Sequence, residues 1–163
     1  MNKKVLFITH AALIAALYVV LTLMANILGL ANFAIQLRFS EALTILPFFT
    51  PAAIPGLFAG CIISNLLTGG VPLDVLFGSL ATLLGSLGTY ALRRFTKWLA
   101  PLCPILANTI IVPFVLAYVY HFEGAVPYFM ITVGIGEFLS CGILGMLLLN
   151  VLLKYRKHLF NPF

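Results

Sequence analysis

The chain has 163 residues, 63% of them hydrophobic and 8% charged, with a net charge of +5. Soluble domains carry about 25% charged residues, so this composition argues against a soluble domain and places the chain in a bilayer. Its basic residues stand at segment ends, not in an aromatic-interleaved patch; the charge reads as a topology signal, with no nucleic acid partner.

The first predicted element, Val5–Leu30, follows a basic start. That beginning resembles a secretory signal, but the apolar run is long enough to cross a membrane and more spans follow. An uncleaved first transmembrane helix is expected. It carries Ala11/Ala15 and Ala12/Ala16, small residues four apart that let helices approach closely in lipid. The pattern fits contact inside the bundle or docking of another membrane protein.

The stretch Ser40–Leu67 is cut by Pro47, Pro51 and Pro55. As one helix it gives five crossings; as two, broken near Pro51, it gives six. With six, and the N-terminus inside, Lys3, Lys4, Arg93, Arg94, Lys97, Lys154, Arg156 and Lys157 all fall on the cytoplasmic side and only Arg38 outside, as the positive-inside tendency requires. Thr50 suits the cap of a helix with Pro51 in its first position, and Pro47 distorts the helix before it. Ser40–Phe49 rises only ~15 Å as an α-helix. Either that crossing begins near Phe33, or the turn after it lies below the membrane surface, buried in protein.

Leu73–Leu92, Leu99–Tyr120 and Val126–Leu153 complete the set, the last long enough to tilt. Gly78/Gly85, with Ser79 and Ser86, repeat the small-residue spacing. No stretch is polar enough for a linker, so residues 1–163 form one transmembrane domain of all-α class, a six-helix bundle with both termini cytoplasmic. Cys61, Cys103 and Cys141 stand singly in apolar surroundings and read as packing residues. His10, His121 and His158 are scattered, so no metal site is expected. With no HExxH, GxSxG, P-loop or GxGxxG motif, neither an enzyme nor a cofactor is indicated.

In that topology Glu41 and Asp74 lie at the outer ends of the second and fourth crossings, Glu123 in an outer loop, and Glu137 inside the sixth. An ionised group at that depth must face protein or water and have a partner. Arg38, Gln36, Asn65, Asn108 and Tyr118 complete a cavity open to the outside, with Phe33, Phe39, Phe77, Tyr118 and Tyr128 as stacking faces. Ordinary roles compete: Glu41 and Asp74 suit first turns of helices, Arg38 suits an interfacial anchor or an ion pair with Glu41, Asn65 and Asn108 suit interhelical hydrogen bonds, and Glu123 suits a solvated loop. A carboxylate-rich pocket matches a ligand carrying N–H donors or an amine.

The phrases RFSEALTILPFFTPAAIPGLFAGCIISNLL (38–67), PLDVLFGSLATLLGSLGTYALRR (72–94), ILANTIIVPFVL (105–116) and VGIGEFLSCGILG (133–145) resemble the QueT family of substrate-binding S components of energy-coupling factor (ECF) transporters. The resemblance implies the plasma membrane of a bacterium and a 7-deazaguanine ligand, preQ1, preQ0 or queuine. It also implies partners, a membrane T component and two cytoplasmic ATPases, with Ala11/Ala15 or Ala12/Ala16 as the docking face. On that footing Glu137 or Glu41 would hold the base edge and Asp74 would be the other acid. An S component for another vitamin-like heterocycle, an autonomous transporter or channel using Glu137, and an intramembrane enzyme are the competing readings.

Overall fold

Lipid offers a backbone no hydrogen bonds, so an apolar chain must satisfy its own. Every regular element is helical among the residues that the computed structural model describes, 2–30, 37–121 and 123–159. Helix α1, Lys3–Ile27, is capped by the Asn2 side chain, which accepts from the Lys4 amide at 3.1 Å. A 3₁₀ helix, Phe39–Phe48, and α2, Ala53–Leu67, follow. Helix α3 spans Pro72–Leu92 and α4 Leu102–Tyr118. Helix α5, Val126–Glu137, passes through a π-helical segment, Phe138–Gly145, into α6, Met146–Leu159. Four stretches among the described residues are long and apolar enough to cross a membrane: Lys3–Ile27, Pro72–Leu92, Lys97–Tyr118 and Val126–Arg156. The 3₁₀ helix and α2 are apolar but shorter.

The second element departs from the expected α-helix. It has ten residues, and 3₁₀ runs beyond three or four are uncommon. Ser40 through Pro47 are all buried, because α1, α2, α3, α6 and the π segment surround it. Pro47 has no N–H to give an α-helical bond, and the Thr44 hydroxyl takes the Glu41 carbonyl at 2.6 Å. A 3₁₀ rise of about 2.0 Å per residue carries ten residues ~20 Å, recovering part of the missing length. The following turn is covered too: Phe49, Thr50 and Ala52 are buried. Thr50 Oγ1 accepts from the Ala52 amide at 3.3 Å, as a cap should, although the regular helix begins at Ala53. A start near Phe33 lies outside the described residues.

Helices α1 and α2 run side by side in the same direction, since Ala11 meets Gly56 and Ala15 meets Gly60. A Cβ at Gly56 would sit 2.6 Å from the Ala11 carbonyl oxygen, and one at Gly60 2.8 Å from Tyr18 Cβ. This settles which alanine register faces inward: Ala15 is buried, whereas Ala12 and Ala16 are exposed. The other small-residue face is also internal, a Cβ at Gly85 meeting Pro104 Cα at 2.7 Å. Gly56→Ala should therefore destabilise the protein by roughly 1–3 kcal/mol, the usual result of overpacking. A thermal midpoint in detergent equal to the parent's would contradict that close approach.

Candidate functional site

Arg38, Glu41, Asp74, Gly78 and Thr82 meet Asn108, Val112, Val133 and Glu137 around one recess. The elements that supply them are the start of the 3₁₀ helix, the first half of α3, the middle of α4 and the end of α5. Asn108 and Glu137 take the lining to mid-bundle depth. The free cavity volume is only about 20 Å³, room for a water molecule or so.

Glu41 is 1% exposed. Its Oε1 accepts from the Tyr18 hydroxyl at 2.5 Å and its Oε2 from Asn108 Nδ2 at 3.4 Å. Glu137 Oε2 accepts from the Cys141 thiol at 3.2 Å, one helical turn away. That sulfur also lies 3.3 Å from the Glu41 carbonyl oxygen and 3.3 Å from Thr44 Oγ1. The π segment, which places Cys141 and Ser140, is tied back to the 3₁₀ helix by the Arg38 amide, which donates to Ser140 Oγ at 3.3 Å. Arg38 shares the lining with Glu41 but forms no ion pair with it among the described residues. A hydroxyl chain from Ser40 through Thr22 to the Tyr18 carbonyl, at 2.8 and 2.9 Å, fixes the 3₁₀ helix against α1.

Asp74, in the first turn of α3, accepts from the Tyr120 hydroxyl at 2.8 Å, and the Val71 amide donates to that same hydroxyl at 3.4 Å. Burial, then the bond to Asp74, pushes the Tyr120 phenol up, so it remains the donor at neutral pH. This phenol ties the chain beyond α4 to the start of α3 across the mouth of the recess.

The recess thus gathers Arg38, Glu41, Asp74, Asn108 and Glu137. Asn65 stands behind it, donating to Cys61 Sγ at 3.5 Å beside Gly78. Gln36 and Phe33 lie outside the described residues, as does the Lys157 side chain. Glu123 is an exposed loop residue. Tyr118 is a correction: it is 67% exposed and stacks on Phe114 at 6.2 Å. On α4 the recess stripe runs through Asn108 and Val112, and Tyr118 falls on the neighbouring stripe with Ile111 and Phe114, lining an apolar groove. Phe77 lines the same groove and Tyr128 is exposed, and among the described residues none of the expected aromatic stacking faces lines the recess.

Four contributors were not anticipated: Tyr18, Thr82, Tyr120 and Cys141. Tyr18 is 1% exposed, and a phenol buried in an apolar helix signals a hydrogen-bond partner elsewhere. Cys141 follows Glu137 by four residues, a spacing that puts both on one helix face. One carboxylate oxygen from each of Glu41 and Glu137 and the Cys141 sulfur lie within 4.8 Å of one another. That trio has donors for a cation, but each is already engaged in the hydrogen bonds above. As it stands the arrangement is a buried acceptor set: two carboxylates facing one amide, one arginine and a third acid at the rim, suited to a ligand with several N–H groups.

A family profile described as QueT transporter matches residues 8–154. The chain is also similar to a queuosine precursor transporter, QueT, of Lactococcus lactis subsp. cremoris (strain MG1363), with 37% identity over 97 residues, 59% of this chain and 57% of that protein. The match thus spans little more than half the length of that relative. No solved structure matches the chain significantly.

Proposed function

Because the chain belongs to the QueT transporter family, we propose that it is the membrane-embedded substrate-binding component of an ECF-type importer. It captures a queuosine precursor of the 7-deazaguanine class from outside the cell. In this reading residues 1–163 form one domain that crosses the plasma membrane of a bacterium six times, with both termini in the cytoplasm. Charge placement supports the topology: Arg93, Arg94 and Arg156 line a cavity with Phe48, Phe49 and Pro51, so the ends of α3 and α6 share one end of the bundle with the turn before α2. The parallel pairing of α1 with α2 brings Lys3 and Lys4 to that end too.

The observation that carries the ligand class is the convergence of Glu41, Glu137, Asp74, Asn108 and Arg38 on one recess. One buried carboxylate accepts from the ring N–H and exocyclic amine of a guanine-like edge. Asn108 or Arg38 donates to the ring carbonyl. A second acid pairs with an aminomethyl ammonium where the ligand has one. A bicyclic base does not fit the free volume of about 20 Å³, so binding requires the rim to open, with Arg38 and the Tyr120–Asp74 bond as the movable parts.

The sequence holds no nucleotide-binding motif. Transport energy then comes from a gradient or from partners, and in this reading the partners are a T component and two ATPases, met through the exposed Ala12/Ala16 face. The test is a thermal-shift and calorimetric screen of purified protein against preQ1, preQ0, queuine, guanine and unrelated vitamins. Stabilisation by the deazaguanines alone is expected. Stabilisation by a different vitamin, or by none, overturns the ligand assignment, and uptake that persists without the ATPases overturns the partner assignment.

Tyr120→Phe isolates the rim. The variant loses the bond to Asp74 and the longer one from the Val71 amide; the first alone, at about 0.5–1.5 kcal/mol, should weaken ligand binding some two- to twelvefold, through faster dissociation. Stopped-flow dissociation rates equal to the parent's would remove Tyr120 from the gate.

A further inference from the structure

The end of the bundle opposite the recess carries a second polar cavity, about 480 Å³ in volume. Arg93 and Arg94 reach it from the end of α3 and Arg156 from α6, with Tyr90, Phe48, Phe49 and Pro51 as its remaining walls. We propose that this cavity seats the phosphate and glycerol of an anionic phospholipid.

The argument begins with counter-charge. The chain has four acidic side chains. Glu41, Asp74 and Glu137 line the recess at the other end and Glu123 lies in the loop after α4. None of these lies at this end, so among the described residues the three guanidinium groups have no acidic side chain as counter-ion. Arg93 lies 4.0 Å from the centroid of the Tyr90 ring, a contact that steadies the guanidinium plane without using its N–H donors. Lys97 is committed differently, donating to Asn150 Oδ1 at 2.9 Å. Among the described residues the three arginines thus line the cavity with uncommitted donors, and their forked N–H groups match phosphate oxygens.

Location selects the source of the phosphate. Phe95 and Trp98, 77% and 66% exposed, follow Arg93 and Arg94 on the α3–α4 connection, where aromatics mark the headgroup level. Basic cavities between membrane helices at that level hold anionic headgroups. The volume exceeds what free phosphate needs and suits a headgroup with its glycerol.

The test uses purified full-length chain delipidated in mild detergent, with phosphatidylglycerol, phosphatidylcholine or inorganic phosphate added, and native mass spectrometry to count retained lipid. Phosphatidylglycerol should be retained selectively and raise the thermal midpoint. Each of Arg93→Gln, Arg94→Gln and Arg156→Gln should weaken retention about fivefold. Lys3→Gln with Lys4→Gln, at the same end but outside the cavity, should leave it unchanged. Arg94 and Arg156 are exposed, so their variants remain informative if Arg93→Gln folds poorly. Equal retention of both lipids overturns the proposal, as does equal loss in the lysine variant or full competition by inorganic phosphate. Indifference to lipid combined with arginine-dependent capture of an acidic partner subunit overturns it as well, making this face a protein interface.

Discussion

Glu41→Gln should lower affinity for a deazaguanine by roughly ten- to a hundredfold, the cost of losing a hydrogen bond to a charged acceptor of about 1.5–3 kcal/mol, while leaving the fold intact. The side-chain carbonyl of glutamine still accepts from Tyr18, which now donates to Oε1 at 2.5 Å. Asn108, 3.4 Å from Oε2, can turn its amide to accept from the new NH₂. What disappears is the negative charge and one acceptor for the ligand. Glu41→Ala differs: it strands the buried Tyr18 hydroxyl and should add a stability loss of about 1–3 kcal/mol. Glu137→Gln should resemble Glu41→Gln, since its Oε2 partner, the Cys141 thiol at 3.2 Å, can still donate to an amide oxygen. Isothermal calorimetry separates the two effects when paired with a thermal midpoint. Unchanged affinity in Glu41→Gln, Asp74→Asn and Glu137→Gln together would mean that the ligand does not bind in this recess.

How far the sequence exposed this site depends on distance along the chain. The runs around α1, α3, α4 and α5–α6 were legible because the length of an apolar stretch is a local property. Glu137 was legible by its depth, since a carboxylate inside a span needs a partner wherever that partner lies. The identity of the partner was not. Cys141 touches the carbonyl of Glu41 a hundred residues earlier, and Tyr18 reaches Glu41 from an element that otherwise reads as plain membrane helix. Composition could not separate a 3₁₀ from an α winding for Phe39–Phe48, because the choice follows from burial on every side and from Pro47, not from an apolar period. Tyr118 and Tyr120 show the limit at an element's end: they stand two residues apart in sequence, yet α4 stops at Tyr118, and only the residue past the helix turns toward Asp74.

The alanine pairs of α1 give the sharpest contrast between a structural and a transport defect. Ala11 and Ala15 are spent on α2, where Gly56 and Gly60 bring the two backbones together. Ala15 is buried there, so Ala15→Leu should cost a few kcal/mol by overpacking and lower both the thermal midpoint and ligand binding. Ala12 and Ala16 are exposed one residue further round the helix, beside the exposed Leu13, Leu17 and Val20. Because both are exposed among the described residues, Ala12→Leu with Ala16→Leu should leave folding and ligand affinity at the parent's level. A small flat strip becomes a ridge, however, and a partner helix packed at small-residue distance is pushed away. Uptake into cells expressing the T component and ATPases should then fall at least tenfold, with co-purification of the T component reduced in parallel. Normal uptake by this double variant would show that the exposed strip faces lipid throughout the transport cycle and that the partner meets another surface.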